Sequence, residues 1–315
     1  MTKWLQIGLM KNKYNKIKLR YGENPEQKAH LICNNNKSIF DFQISGKKIS
    51  YNNIIDVDSG LRCLSEFTEP TSVIVKHTNP CGVASAKSID RAFIKSYNSD
   101  SKSAFGGLIF LNRKVKLNLA NKIIKNFFEM IVAPDFEKKA IKKLTTKKNL
   151  IIIKIPVVKI QTFDFRSTIF GKLYQTTNKT PINRNFINLV SQKKASKKSI
   201  DDLLFSLKVV KHLKSNAIVI SKNKQTLGLG HGQTNRVDAL KFAIKNKKLI
   251  FNEKKFICVS DGFFPFTDSI KLLYNHGCLS LAQPSGSIND KKIISFATKN
   301  KMPLYFVKNR LFKHW

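Results

Sequence analysis

No two of the five cysteines, Cys33, Cys63, Cys81, Cys258 and Cys278, form a CxxC pair. An odd, widely spaced set excludes a disulfide framework and a cysteine-rich zinc site, and it fits a reducing compartment. Also missing is any apolar run long enough to span a membrane. Residues 1–20 include Trp4, Leu5, Ile7, Leu9 and Met10 but lack an h-region followed by a small-residue cleavage site, so a cytoplasmic location is expected. The chain has no P-loop, no HExxH and no GxSxG, and its histidines and aspartates show no metal-ligand spacing. Gly228, Gly230 and Gly232 resemble a dinucleotide loop, but GxGxG is not GxGxxG, which sets a nicotinamide enzyme aside. Chemistry without a catalytic metal is the expectation.

Acidic residues are scarce: 20 Asp plus Glu face 57 Lys plus Arg, a formal charge of +37. Such an excess suits an anionic partner. It is spread through the chain rather than gathered in one arm, so a small anionic substrate is expected rather than nucleic acid. A hydrophobic content of 42% with 10% aromatics is that of a globular protein. A length of 315 residues allows one large domain or two of roughly 150.

Strand and helix signals alternate. Thr71–Val75, Leu108–Leu111, Met130–Val132 and Leu150–Ile155 read as strands, with helices from Ser88 to Tyr97 and Glu137 to Lys147. Polar residues 176–198 are expected to join two halves. Beyond them, Ser199 with Asp202 reads as a capping box for a helix to about Leu213. Strands are expected at Ala217–Ile220, 256–259, 279–282 and 304–307, with helices at Asn235–Lys247, 267–275 and 289–299. This alternation implies an α/β protein with helix-covered sheets.

The informative residues fall where expected strands end. Lys76 and His77 follow Val73-Ile74-Val75, with a turn expected at Asn79-Pro80 and Gly82. By composition alone, Lys76 is equally a solvated strand cap and His77 a structural histidine. Arg20-Tyr21-Gly22-Glu23-Asn24-Pro25 suits a phosphate or carboxylate, or is an ordinary surface turn. Asp261-Gly262-Phe263-Phe264-Pro265-Phe266 can stack on a planar ligand or plug a gap between domains. Gln283-Pro284-Ser285-Gly286-Ser287, between strand and helix, offers anion-binding backbone donors or a plain turn.

Together these stretches resemble the transformylase portion of the AICAR transformylase/IMP cyclohydrolase family, the bifunctional purine biosynthesis protein. The matching motifs are LRYGENPEQKAH (19–30), SVIVKHTNPCGVA (72–84), SAFGG (103–107), EMIVAPDF (129–136), HLKSNAIV (212–219), GLGHGQTNRVDA (228–239), DGFFPFTDSI (261–270), AQPSGSIND (282–290) and NRLFKH (309–314). They run in the family's order from residue 19 onward.

The resemblance implies two related cytidine-deaminase-like α/β subdomains without the deaminase zinc site, at 19–185 and 199–315, joined through 186–198. It implies formyl transfer from the cosubstrate 10-formyltetrahydrofolate to the 5-amino group of AICAR, yielding FAICAR and tetrahydrofolate. His77 would abstract the proton, Lys76 would lie beside the developing oxyanion or N10, and Asn216 and His314 would complete the catalytic set. Arg20, Tyr21, Phe105, Gly106, Arg236, Phe263 and Arg310 would bind AICAR. Glu129, Pro265 and Asp268 would face the reduced folate. No catalytic metal is implied, and active sites would be shared across a homodimer. The 18 residues before the first motif are expected to be an N-terminal extension too short for the family's cyclohydrolase domain, so that a separate IMP cyclohydrolase would be needed. Glu26, His231 and Val307-Lys308 depart from the family's usual residues without removing a catalytic one. The rival reading is a non-catalytic nucleotide- or RNA-binding remnant of the family.

Overall fold

The computed structural model describes residues 15–33, 38–156 and 160–314. The apolar residues noted near Trp4, and most of the expected N-terminal extension, lie outside the described residues. The chain forms β1 (Asn15–Lys18), β2 (His30–Cys33), β3 (Gln43–Ser45), α1 (Tyr51–Leu64), β4 (Thr71–Lys76), β5 (Asn79–Ser85), α2 (Ile89–Ser99), α3 (Ser101–Ala104), β6 (Leu108–Leu111), α4 (Leu117–Ile123), β7 (Met130–Ala133), α5 (Lys138–Leu144) and β8 (Ile151–Lys154). There follow β9 (Phe163–Thr168), β10 (Gly171–Thr176), β11 (Ile187–Leu189), α6 (Lys197–Val210), β12 (Ile218–Lys222), β13 (Gln225–Gly230), α7 (Arg236–Ile250), β14 (Phe256–Ser260), α8 (Thr267–Asn275), β15 (Cys278–Pro284), α9 (Asp290–Lys299) and β16 (Leu304–Val307).

The fold is α/β, built on one mixed sheet of twelve strands in the order β11-β16-β15-β14-β12-β13-β5-β4-β6-β7-β8-β3. Each half repeats the other outward from the centre. An antiparallel hairpin (β4-β5 or β12-β13) leads to three parallel strands (β6-β7-β8 or β14-β15-β16) and an antiparallel edge strand (β3 or β11). Alternating side chains divide the core between the two faces of the sheet. Val73, Val75, Phe110 and Val132 share one face with Val219, Val259 and Tyr305, packed in a single cluster with α1 and α6 residues. On the other face, each half has its own cluster, Ile74, Ile109 and Ile131 in one and Ile218, Ile220 and Leu281 in the other.

The halves meet at β5 and β13 through one ladder pair, Gln225↔Ala84. Beside it the Thr226 hydroxyl accepts from the Val83 N–H at 3.1 Å and donates to the Val83 carbonyl at 3.2 Å, replacing backbone pairing. The remainder of β5 is free of that ladder, which explains how Pro80 sits inside a central strand.

Several boundaries differ from expectation. Asn79, Pro80 and Gly82 lie in β5, and the turn is formed by His77 and Thr78 themselves. Gly228 and Gly230 lie in β13. A Cβ at Gly82 or Gly228 would strike the carbonyl of Ser96 in α2 or Ala243 in α7, so both strands need glycine for close helix approach. Ser199 is not an N-cap. Ser196 is, accepting from the Ser199 N–H at 3.1 Å, while the Asp202 carboxylate turns to a distant hairpin. Within the stretch expected to join the halves, β11 pairs with β16 because Ile187 finds an apolar sheet edge. Helix α1 carries only a partial apolar stripe, its buried face including Asn53, Asp56, Ser59 and Gly60, which hides it from periodicity.

Candidate functional site

Many of the residues singled out above collect along one edge of the sheet. Register pairs Val75 with Leu108 and Leu108 with Met130, so Lys76, Phe105-Gly106 before β6 and Glu129 before β7 share that edge. Because β13 runs antiparallel to β5, the end of β13 also lies there, with the start of β12 (Ile218↔Gly230, Ile218↔Ser260) and the ends of β14, β15 and β16. In the second half this edge lies beyond the carboxyl ends of the parallel strands β14, β15 and β16, where ligands of α/β proteins are commonly bound, whereas β6 and β7 present their amino ends there.

The first group surrounds the β4-β5 turn. His77 (φ 52°) and Thr78 (φ 64°) both adopt left-handed backbone, as a two-residue hairpin turn requires. Without glycine, each position costs about 1–2 kcal/mol, so neighbouring groups must hold it. Asp56 of α1 accepts the Thr78 N–H at 2.6 Å, and the Ser59 hydroxyl donates to the Thr78 carbonyl at 2.5 Å. Burial raises the Asp56 pKa above the usual carboxylate value, opposed by the Thr78 N–H and the charge of His77 and reinforced by that of Glu129. The Lys76 Nζ donates to the Phe105 carbonyl at 2.8 Å, and the His77 side chain is exposed. Phe105 leans on Phe127 with ring centroids 5.1 Å apart, and Glu129 pairs with Lys47 at 2.7 Å.

The second group is built on the segment between α6 and β12, where the Ser215-Asn216 peptide is cis. Buried Arg236 pairs with the fully buried Asp261 and donates to Asn216 Oδ1 at 2.6 Å and Ser260 Oγ at 3.0 Å. Ser215 donates to the other Asp261 oxygen at 2.6 Å, and Asn216 Nδ2 donates to the carbonyls of Gln233 (2.9 Å) and Thr234 (3.1 Å). The C-terminal segment returns across this cluster. The Leu311 N–H donates to the Asp261 carbonyl at 2.9 Å and the Lys313 N–H to Ser215 Oγ at 3.1 Å. This return sets the Phe312 ring within reach of the guanidiniums of Arg236 (5.7 Å) and Arg310 (5.0 Å), with the His314 ring 5.9 Å from it. A side chain at Gly262 would strike Arg236 and Phe312.

One bond fastens the groups together: the Lys214 N–H donates to Asn79 Oδ1 at 3.2 Å, beside the His77 turn. Two cavities open around this join. One of about 360 Å³ is lined by Phe263, Ser285, Lys308, Arg310 and Phe312. A larger one of about 900 Å³ is bounded by Thr78, Phe312 and His314, by α1, and by the β9-β10 hairpin. Its wall contains a buried ionic cluster, Glu66 with Lys211 at 2.7 Å and His212 at 3.2 Å. Burial pushes Glu66 up, but the hydrogen bonds and charges of His212 and Lys211 outweigh it and hold the carboxyl below its ordinary value. Burial also lowers His212, against the pull of Glu66.

Other expected site residues stand apart. Arg20 lies over its neighbour Tyr21 at 5.3 Å, and neither lines either cavity, although Asn52 of α1 ties down their turn by donating to the Glu23 carbonyl at 3.2 Å. Pro265 accepts from Asn289 Nδ2 at 2.7 Å, and Asp268 projects from the start of α8. Among the described residues no group of three His, Cys, Asp or Glu is arranged to hold a metal ion, and no helix is long and apolar enough to cross a membrane.

Asp56, Ser59, Ser215, Lys313 and the Glu66 cluster escaped the sequence reading. A signal for Asp56 was present in the internal repeat: Ser50, Ile54 and Asp56 at α1 match Ser196, Ile200 and Asp202 at α6 in spacing and type. The ties of Ser215 and Lys313 depend on chain return, which spacing does not reveal.

The fold and this edge define a duplicated α/β protein with a polar site at the seam between its halves. The model of the family described as AICARFT/IMPCHase bienzyme matches residues 3–246. The chain is 43% identical over 306 residues to the bifunctional purine biosynthesis protein PurH of Caldicellulosiruptor saccharolyticus, covering 94% of this chain and 59% of the relative. It is 43% identical to that of Buchnera aphidicola subsp. Baizongia pistaciae (94% and 58%) and 39% identical to that of Staphylococcus epidermidis (96% and 62%). The chain belongs to the AICARFT/IMPCHase bienzyme family and spans about six tenths of the length of these relatives.

Proposed function

We propose that this chain carries out formyl transfer, moving the formyl group of 10-formyltetrahydrofolate to the 5-amino group of AICAR to give FAICAR and tetrahydrofolate. The observation that carries the reading is the union, at one sheet edge, of the Lys76-His77 turn with the Asn216-Arg236-Asp261 cluster and the C-terminal segment bearing Arg310. An aromatic amine flanked by a carboxamide is a weak nucleophile. It needs a base as it attacks, and folate N10 needs a proton as it leaves. His77 is the proposed base. Lys76, its ammonium held by the Phe105 carbonyl, is the proposed cation beside the developing oxyanion or N10, with Asn216 and His314 completing the set.

Arg310, with Ser285 and Lys308 around the smaller cavity, offers a site for the nucleotide phosphate, and Phe263 a surface for its base. Arg20, Tyr21, Phe105, Gly106 and Arg236 belong to the same proposed AICAR site, with Glu129, Pro265 and Asp268 on the folate side. The separation of Arg20-Tyr21 and Glu129 from the Arg310 cavity fits a site assembled by a homodimer. So does the exposure of Phe105, Phe127, Phe165 and Phe170 at 55–94%. The repeated halves are proposed as deaminase-like subdomains, 19–185 and 199–315, in a cytoplasmic enzyme.

Purified protein incubated with AICAR and 10-formyltetrahydrofolate should release tetrahydrofolate and form FAICAR. No turnover above a His77→Ala control would sink this reading and favour the nucleotide- or RNA-binding alternative.

A further inference from the structure

The two halves offer an internal comparison of the same hairpin. Each central hairpin closes with two non-glycine residues in left-handed backbone: His77 and Thr78 (φ 52° and 64°) in one, Asn223 and Lys224 (both 52°) in the other. In each half the sixth residue of the preceding 14-residue helix is a buried aspartate that accepts from the turn. Asp56 accepts from Thr78 at 2.6 Å, and Asp202 accepts from Asn223 at 2.8 Å and Lys224 at 2.7 Å. The repeat therefore uses an aspartate clamp whether or not the turn carries chemistry.

The half that carries His77 adds a second hold. Ser59, ninth in α1, donates to the Thr78 carbonyl at 2.5 Å, whereas the ninth residue of α6 is Phe205, buried in the core. Thr78, the residue next to His77, is thus gripped at both its N–H and its carbonyl. The His77 carbonyl is tied locally, to the Thr78 hydroxyl at 2.7 Å and Asn79 Nδ2 at 3.0 Å. Thr78 is also the worse turn residue, since a β-branched side chain is rarely left-handed. A proton-transfer base set beside so unfavourable a turn depends on its anchor for its direction.

We infer that Asp56 and Ser59 are positioning residues, which fix the left-handed turn at Thr78 and so aim His77 for proton transfer. This inference rests on the formyl-transfer reading. The clamp works by accepting a hydrogen bond, so an amide oxygen at residue 56 can replace the carboxylate.

The test compares Asp56→Ala, Asp56→Asn, Ser59→Ala and Asp202→Ala, by kcat and KM for formyl transfer and by hydrogen exchange of the Thr78 amide. Asp56→Ala should lower kcat by about 30-fold or more, the scale of small misplacements in active sites, with KM moved less than about threefold. Its Thr78 amide should exchange at least about tenfold faster. Asp56→Asn and Asp202→Ala should stay within about threefold of the parent kcat, and Ser59→Ala should lose about five- to tenfold. An Asp56→Ala enzyme that keeps its kcat overturns the inference. So does an Asp202→Ala enzyme that falls as far, or an Asp56→Asn enzyme that stays inactive with its Thr78 amide protected. Should Asp56→Ala fail to fold, Ser59→Ala with unchanged kcat overturns it equally. If the parent protein forms no FAICAR, the formyl-transfer reading fails by itself, while amide exchange still reports whether the clamp exists.

Discussion

The strand ends after β6 and β14 occupy equivalent places in the two halves, yet one is closed and the other is chemically equipped. After β6, Asn112 satisfies only backbone: it accepts from the Thr71 N–H at 2.8 Å and donates to the carbonyls of Phe67 (3.1 Å) and Glu69 (2.7 Å). After β14, the equivalent residue is Asp261, and its charge recruits Arg236, which in turn holds Asn216. Both residues tie down the chain before the central hairpin. A neutral tie ends there, whereas a buried charge demands a partner and draws further polar groups to the seam.

The comparison can be broken most sharply at the turns. His77→Ala should reduce kcat by about 10²–10⁴-fold, the range of a lost general base, while Asn223→Ala stays within about threefold. Comparable losses in steady-state assays of both variants would remove the distinction between the halves. Next come the strand-end ties. Asp261→Ala strands the Arg236 guanidinium and should cost about 3–5 kcal/mol, against about 1–3 kcal/mol for Asn112→Ala, as read by denaturant unfolding. A reversed order would show that the charged tie is not the stronger anchor.

The close helix approach at Gly82 and Gly228 predicts likeness instead. Alanine at either should destabilise by roughly 1–3 kcal/mol, and a cost at one position alone would break the structural repeat. The smallest effect tests the ionic cluster joining Glu66 in one half to Lys211 and His212 in the other. His212 and Glu66 are held below their ordinary values of 6.5 and 4.5, so across that range the unfolded chain binds more protons than the folded one. Their stabilisation is complete above about pH 6.5 and is lost as the pH falls through the folded values. Between about pH 7.5 and 5 the melting temperature should drop by roughly 2–4 °C, and His212→Gln should flatten that slope. An unchanged slope in the variant would remove His212 as its source.

Much of the outer architecture was legible in the sequence. Leu108–Leu111, 267–275 and 304–307 were assigned as they stand, because short apolar runs and amphipathic segments carry local signals. The Asn216-Arg236 neighbourhood was marked by motif but not by mechanism. Nothing local says that Asp261 will pair with Arg236 or that Ser215 will meet Lys313. Helix α1 and strand β13 were missed because one buries polar residues and the other is rich in glycine, the reverse of what periodicity seeks. The Lys76-His77 junction was located correctly and its geometry misread, because turn chemistry favoured Asn79-Pro80 over a His-Thr pair.

By itself, then, the sequence determined an α/β chain, its basic charge, and the strand end on which Lys76 and His77 sit. Those properties follow from composition and from interactions within a few residues. Only the tertiary structure decided that two repeats would share one sheet, that Asp56 would brace the turn beside His77, and that the C-terminal segment would return to Asp261. Each of these joins residues distant along the chain, and burial of charge and pairing of backbone across that distance select one arrangement from many that the local sequence would allow.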